Sequence, residues 1–224
     1  DTGDSRYDQV LHRLMNPKPL RNELKPAPGE LVFVCGSTWP EDEEVLAKAA
    51  AQLNGYGVRT VIAPHEPGEE HLAHIERKFR AAGLQTARYT KATSWEPGKV
   101  LLIDTVGILA ELYQWATFAY VGNSMKRHAI HSVMEPLACG CITFMGPFHH
   151  NNREATSFKK IGAGDPPIGF TQVIRDAKEL EQKILSLVNH PQLRQMKEKI
   201  RAEVKNRTGA SQKVLSQIES LTKV

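Results

Sequence analysis

The stretch LVFVCGSTWPEDEEVLAKAAAQLNGYGVRTVIAPHEP, residues 31–67, decides the fold. Its first six residues, LVFVCG (31–36), are an apolar run closed by glycine, the pattern of a strand buried on both faces. From Glu41 to Leu53 the period changes, and Val45, Leu46, Ala49, Ala50 and Leu53 fall on one side of a helix. A second buried strand, VRTVIA (58–63), follows. Strand, helix and strand in this order form the unit of a parallel sheet, with a right-handed crossover.

Outward from that unit the alternation continues. Leu72, Ile75, Phe79 and Ala82 share a helix face, and the short strands LQTARY (84–89) and KVLLID (99–104) come next. A helix is predicted from Ile108 to Trp115, then strand FAYVG (118–122), a helix from His131 to Cys139, strand CITFMG (141–146) and a last strand GFTQVI (169–174). Three helices close the chain, with stripes Leu180/Ile184/Leu187, Leu193/Met196/Ile200/Val204 and Val214/Ile218/Leu221. Toward the N-terminus, Tyr7, Val10, Leu11 and Leu14 mark a short amphipathic helix, and prolines at 17, 19, 26 and 28 exclude regular helix or sheet between Asn16 and Gly29. The expected fold class is α/β, a doubly wound Rossmann-like parallel sheet with helices on both faces. Its expected parts are an opening helix and Pro-rich lead-in (1–30), the Rossmann-like domain (31–175) and C-terminal helices (176–224).

Composition narrows the function classes. With 41% hydrophobic and 24% charged residues, the chain has the balance of a globular protein with a real core. No apolar run approaches the roughly 20 residues that a membrane-spanning helix needs. The net charge of +4 suits an anionic ligand or an anionic membrane surface, but Lys and Arg do not cluster with stacking aromatics, so nucleic acid is not expected. Cys35, Cys139 and Cys141 are odd in number, lack CxxC spacing and sit among apolar residues, which reads as reduced core thiols. The opening DTGDSRYDQV carries no initiator Met and reads as the internal start of a fragment.

In such sheets ligands bind beyond the carboxyl ends of the strands, and five clusters occupy that position. Gly36-Ser37-Thr38-Trp39-Pro40, with acids 41–44, reads either as a capped, dipole-matched helix start or as a glycine approach with the Ser37 hydroxyl offered to a ligand. In Ala63-Pro64-His65-Glu66-Pro67, two prolines fix a histidine that is either merely exposed or aimed into the crevice. Asp104 to Leu109 is either a turn capped by Asp104 or Thr105, or a place where backbone around Gly107 meets a nucleobase edge. The most informative cluster runs from Gly122 to Pro136: Lys126, Arg127 and His128 precede a helix expected to begin near His131, and free helix N–H groups beside cations suit a phosphate. Glu135, expected one turn inside, is placed to accept from ribose hydroxyls. The fifth cluster, Gly146 to Glu154, carries the pair His149-His150, but like His71 and His74 it lacks acids or thiols at metal spacing, so no metal is expected.

These clusters, in this order, resemble the C-terminal domain of bacterial Kdo transferases, which move 3-deoxy-D-manno-octulosonic acid (Kdo) from CMP-Kdo to lipid A precursors. The resemblance runs through TGDSRYDQV, GSTWPEDE, APHEP, DTVGIL, VGNS, IHSVMEPLACG and GPFHHNNREA, about two-thirds of the chain. It implies the donor-binding half of a two-domain GT-B glycosyltransferase, inverting and metal-independent, with no cofactor. By match of motif, Ser37, His65, Gly107, Ser124, Lys126, His131, Ser132, Glu135 and Asn152 would line the CMP-Kdo site, with Lys126 and Arg127 stabilising the phosphate. The general base and the contacts to the lipid A precursor would belong to an absent N-terminal domain, so the fragment is expected to be inactive alone. The implied location is the cytoplasmic side of the bacterial inner membrane, peripheral or anchored through that missing part. The chain departs from the family between Arg127 and Met134, where a glycine-rich stretch and His-Asn are usual. Losing glycine restricts the backbone around the phosphate, and Ser132 offers a shorter hydroxyl in place of an amide. Two other readings compete: a GT-B transferase or epimerase using another nucleotide sugar, such as a UDP-hexose, and a nucleotide-binding module with no activity of its own.

Overall fold

Seven parallel strands lie side by side in the computed structural model, which describes residues 2–126, 130–163 and 167–222. They are β1 (Leu31–Thr38), β2 (Val58–Pro64), β3 (Gln85–Arg88), β4 (Lys99–Leu102), β5 (Phe118–Val121) and β6 (Ile142–Met145), with β9 (Thr171–Val173) reached after a separate antiparallel pair, β7 (Gly162–Ala163) and β8 (Ile168–Gly169). The sheet order is β3-β4-β2-β1-β5-β6-β9. From β1 the chain first builds outward through β2 and later returns to add β5 on the other side, with Phe33 opposite Phe118 and Gly36 opposite Val121. The β1/β5 boundary is therefore the topological switch point, where such sheets open a crevice.

Alternate residues of each strand feed two cores. Phe33 and Cys35 of β1, Ile62 of β2, Leu102 of β4 and Phe118 and Tyr120 of β5 point to one face. There they meet α2 (Pro40–Asn54), α3 (Glu69–Ala81), α7 (Ala177–Val188) and α8 (Leu193–Lys205), through Leu46, Leu53, Ile75, Phe79, Leu180, Ile184 and Ile200. Val32, Val34, Val61, Leu101 and Ala119 point to the other face. All three cysteines are buried and unpaired.

The second face differs from the expected layer of full helices. The helix predicted from Ile108 to Trp115 is a single turn, α4 (Leu109–Leu112). Cover comes instead from Trp95 and from the proline-rich lead-in, whose one 3-10 turn (Asn22–Leu24) presses a fully buried Leu24 onto the sheet. Prolines still forbid longer regular structure there, yet an irregular segment can bury a leucine as well as a helix does. Further differences touch the site. The helix read from His131 is α5 (Met134–Ala138), three residues later, and the strand read as 169–174 contributes only Thr171–Val173 to the sheet edge. α1 (Ser5–Met15) packs against α5, while the apolar stripe of α9 (Ala210–Thr222) leaves Leu215, Ile218 and Leu221 more than half exposed.

Candidate functional site

The crevice is built by the loops that leave β1, β2, β5 and β6, and one carboxylate of α2 ties the first and third of these together. At the end of β1, Gly36 passes so close to α4 that a Cβ there would lie 2.1 Å from the Tyr113 hydroxyl. Ser37 then takes a left-handed conformation (φ 51°), a bulge that breaks the β1–β2 register before Thr38. Neither Ser37 nor Thr38 caps α2; Trp39 holds that position, and its N–H donates to Asp42 Oδ2 at 3.0 Å. Asp42 also accepts from the Tyr120 hydroxyl at 2.7 Å and from the Asn123 N–H at 2.8 Å. Burial raises its pKa, against the lowering effect of those donors. Asn123 is left-handed (φ 65°), a conformation that asparagine tolerates.

Ser124 continues this scaffold. Its hydroxyl donates to Val121 O at 3.0 Å, accepts from Gly146 N at 2.8 Å and is fully buried, so it joins the β5 and β6 loops. Asn152 is likewise engaged at both ends of its amide: Oδ1 caps α6 (Arg153–Lys159) by accepting from Ala155 N at 2.8 Å, and Nδ2 donates to His131 O at 3.3 Å. His149 is buried against the Gly146 carbonyl, 3.1 Å away.

Three rings meet at the mouth. Trp39 and His65 stack with centroids 5.2 Å apart, and His131 lies 4.5 Å from His65. The structure thus brings together two of the histidines singled out from sequence and adds a tryptophan. Burial, followed by the neighbouring His65, lowers the pKa of His131, which favours neutral imidazole. Beside these rings a cavity of about 210 Å³ is lined by Thr38, Trp39, Pro40, His65, Glu66 and His71. Beneath it lies Glu43, fully buried, which accepts from Thr38 Oγ1 at 3.2 Å and sits 2.8 Å from His71 Nε2. The acidic run 41–44 therefore does more than match a helix dipole: two of its members are interior ties.

Because α5 begins at Met134, the N–H groups of His131 and Ser132 belong to the segment before the helix, and Ser132 Oγ accepts only a long 3.3 Å bond from Met134 N. Glu135 is the second helical residue instead of lying one turn inside. It is half-buried, and Arg13 Nη1 donates to it at 3.2 Å. Lys126 is exposed and paired with Glu41, while Arg127 and His128 lie outside the described residues. The carbonyl of Gly107 accepts from Lys18 Nζ at 3.0 Å. Neither Asp104 nor Thr105 caps α4: Ile108 does, and Asp104 accepts from Thr90. Trp39, Asp42 and Glu43 belong to the first cluster, where the sequence marks them only as a helix start, while Arg13, Lys18 and Glu111 carry no motif that points to the site.

No family model matches the chain. Over 169 residues it is 28% identical to the 3-deoxy-D-manno-octulosonic acid transferase of Chlamydia muridarum, covering 73% of this chain and 38% of that protein. With the transferase of the same name from Aquifex aeolicus the identity is 28% over 155 residues, 68% of this chain and 42% of the relative. The chain thus spans about two-fifths of the length of these relatives. Among solved structures, the C-terminal CMP-Kdo binding domain of WaaA from Acinetobacter baumannii superimposes with a TM-score of 0.64 at 19% identity, over 91% of this chain and 97% of that one. These findings agree with the resemblance read from the motifs, and the fold is shared with the C-terminal domain of WaaA.

Proposed function

We propose that this chain is the donor-binding half of a glycosyltransferase that moves Kdo from CMP-Kdo to a lipid A precursor at the cytoplasmic face of the inner membrane. The observation that carries the reading is Glu135, a half-buried carboxylate at the start of α5, which follows the loop leaving the carboxyl end of β5 and carries His131 and Ser132. A half-buried acid in a helix's first turn, next to the backbone N–H groups that precede the helix, suits a ribose on one side and a phosphate on the other. His65 and Gly107 complete the nucleoside side, and Lys126, once it leaves Glu41, meets the phosphate. Departing CMP needs its developing charge held, which these cations and N–H groups supply without a metal. The base that deprotonates the acceptor belongs to a preceding domain, and the single displacement inverts the configuration at the sugar's anomeric carbon.

Titration calorimetry with CMP, UDP and GDP tests this: CMP binds and the others bind more weakly, and a preference for UDP would move the protein to another nucleotide sugar. In Glu135→Gln the CMP affinity falls by about 1.5–3 kcal/mol, the range for a hydrogen bond to a charged group. Stability changes by less than about 1 kcal/mol, since Arg13 is partly exposed and keeps Glu111 as a partner. Unchanged CMP affinity in that variant would remove Glu135 from the site. The chain alone is expected to transfer no Kdo, because only part of the transition state is held. Measurable transfer by the purified chain would overturn that division of labour.

A further inference from the structure

α1 and the lead-in after it reach Glu135 and Gly107, one each, and both are tied to a buried acid. Glu111 of α4 has a side chain only 3% exposed, and both its contacts come from the lead-in side. Its Oε1 accepts from the backbone N–H of Lys18 at 3.4 Å, and its Oε2 lies 3.6 Å from Arg13 Nη2. From that anchor Arg13 extends Nη1 to Glu135 at 3.2 Å, and Lys18 extends Nζ to the Gly107 carbonyl at 3.0 Å. One guanidinium thus bridges two carboxylates that lie 24 positions apart in sequence and would otherwise repel each other.

We propose that Arg13 is a positioning residue of the donor site: held by Glu111, it keeps the Glu135 carboxylate ionised and oriented for the hydroxyls of the nucleoside. This rests on the donor-site reading above. The charge balance supports it. Burial and the neighbouring Glu111 push the pKa of Glu135 up, and Arg13 is the group that pulls it down. Among the described residues, the other titratable neighbours are the Tyr113 hydroxyl just after α4 and the Cys139 thiol after α5, both raised by burial and neutral at physiological pH. On the α8 side, Arg201 donates to Cys139 O and Lys197 to Ala116 O. A protonated Glu135 accepts more weakly, so nucleotide binding should fail on acidification, at a pH that Arg13 sets.

The test combines two readouts in nucleotide-free and CMP-titrated protein. Carboxyl-carbon NMR of labelled glutamate follows Glu135 itself: in Arg13→Ala its titration midpoint rises by about 1 pH unit or more, as expected on losing an adjacent opposite charge. CMP affinity below that midpoint then drops about tenfold for each pH unit by which the midpoint has risen, and recovers toward wild type at higher pH. Arg13→Lys retains the charge and brings the midpoint most of the way back, which a purely packing role would not. Added to Glu135→Gln, the Arg13 change has no further effect on CMP affinity. A wild-type midpoint in Arg13→Ala, or a loss of affinity equal at all pH values, overturns the inference. A Glu135→Gln variant that binds CMP normally refutes the donor site itself, whatever the NMR midpoint does.

Discussion

Asp42→Asn is expected to cost the domain about 3 kcal/mol, the scale for losing bonds to a buried charged acceptor, and so to lower its melting point by about 6–12 °C. The carboxylate is 1% exposed and receives three donors: Tyr120 OH on one oxygen, and the N–H groups of Asn123 and Trp39 on the other. An amide has one oxygen. Whichever way it turns, its NH2 faces at least one donor, and a buried donor is left without a partner. Removing a buried charge gives something back, but each lost charged hydrogen bond is worth about as much, and one orphaned N–H adds its desolvation cost.

The pH dependence has a definite sign. Asp42 titrates above its ordinary 3.8 in the folded state, mainly because it is buried. The unfolded chain therefore loses that proton first, and wild-type stability from this group declines as pH rises from the ordinary value through the folded one. The variant lacks that titration, so its stability carries no such decline over this pH range. Urea unfolding at several pH values checks both points. Equal stability throughout would show that Asp42 is not the tie among β1, α2 and β5.

Much of the architecture was legible because parallel strands buried on both faces are short apolar runs, and LVFVCG, VRTVIA and FAYVG stand out as such. The amphipathic stripes of α3, α7 and α8 were equally plain, since Leu72/Ile75/Phe79 and Leu180/Ile184/Leu187 all face the core. The site was legible at the level of loops but not of roles. In EDEE (41–44) nothing local separates Asp42 and Glu43, which are buried, from Glu41, which pairs with a surface lysine. Their partners, Tyr120 and His71, arrive from distant sequence. Ser124 and Asn152 are named for the donor site by match of motif, and nothing in the sequence shows that they also hold loop to loop. The start of α5 was misplaced because His131 and Ser132 have the chemistry of a cap, while the helix itself starts only at Met134. Arg13, Glu111 and Glu135 form a cluster only through folding, so no spacing rule could have joined them.

Gly122→Ala is expected to be at least as damaging, for a steric reason. A Cβ at Gly122 would lie 2.1 Å from the Ser37 carbonyl oxygen, 2.7 Å from its carbon and 2.8 Å from Thr38 Cα. Those are backbone atoms, with no side-chain end to swing aside. Nor is that backbone free to retreat. Ser37 is already left-handed at φ 51°, Gly122 N donates to Gly36 O at 2.9 Å, and Thr38 O accepts from His65 N at 3.0 Å. Making room means moving β1 from β5 at the switch point, or breaking the link that carries His65. Overpacking of this kind commonly costs about 1–3 kcal/mol and more where the backbone is fixed, so a loss of about 3 kcal/mol or more is expected. Gly68→Ala serves as the control: a Cβ there has nothing within 4 Å, and its cost, confined to the helix N-cap, should stay below about 1 kcal/mol. Under conditions where the Gly122 variant remains folded, its CMP affinity should also fall at least tenfold, about 1.4 kcal/mol, because Trp39, His65 and Asn123 all hang from the displaced backbone. A Gly122→Ala protein as stable as the Gly68 control would mean that the close approach of the β1 and β5 ends is not a constraint on this site.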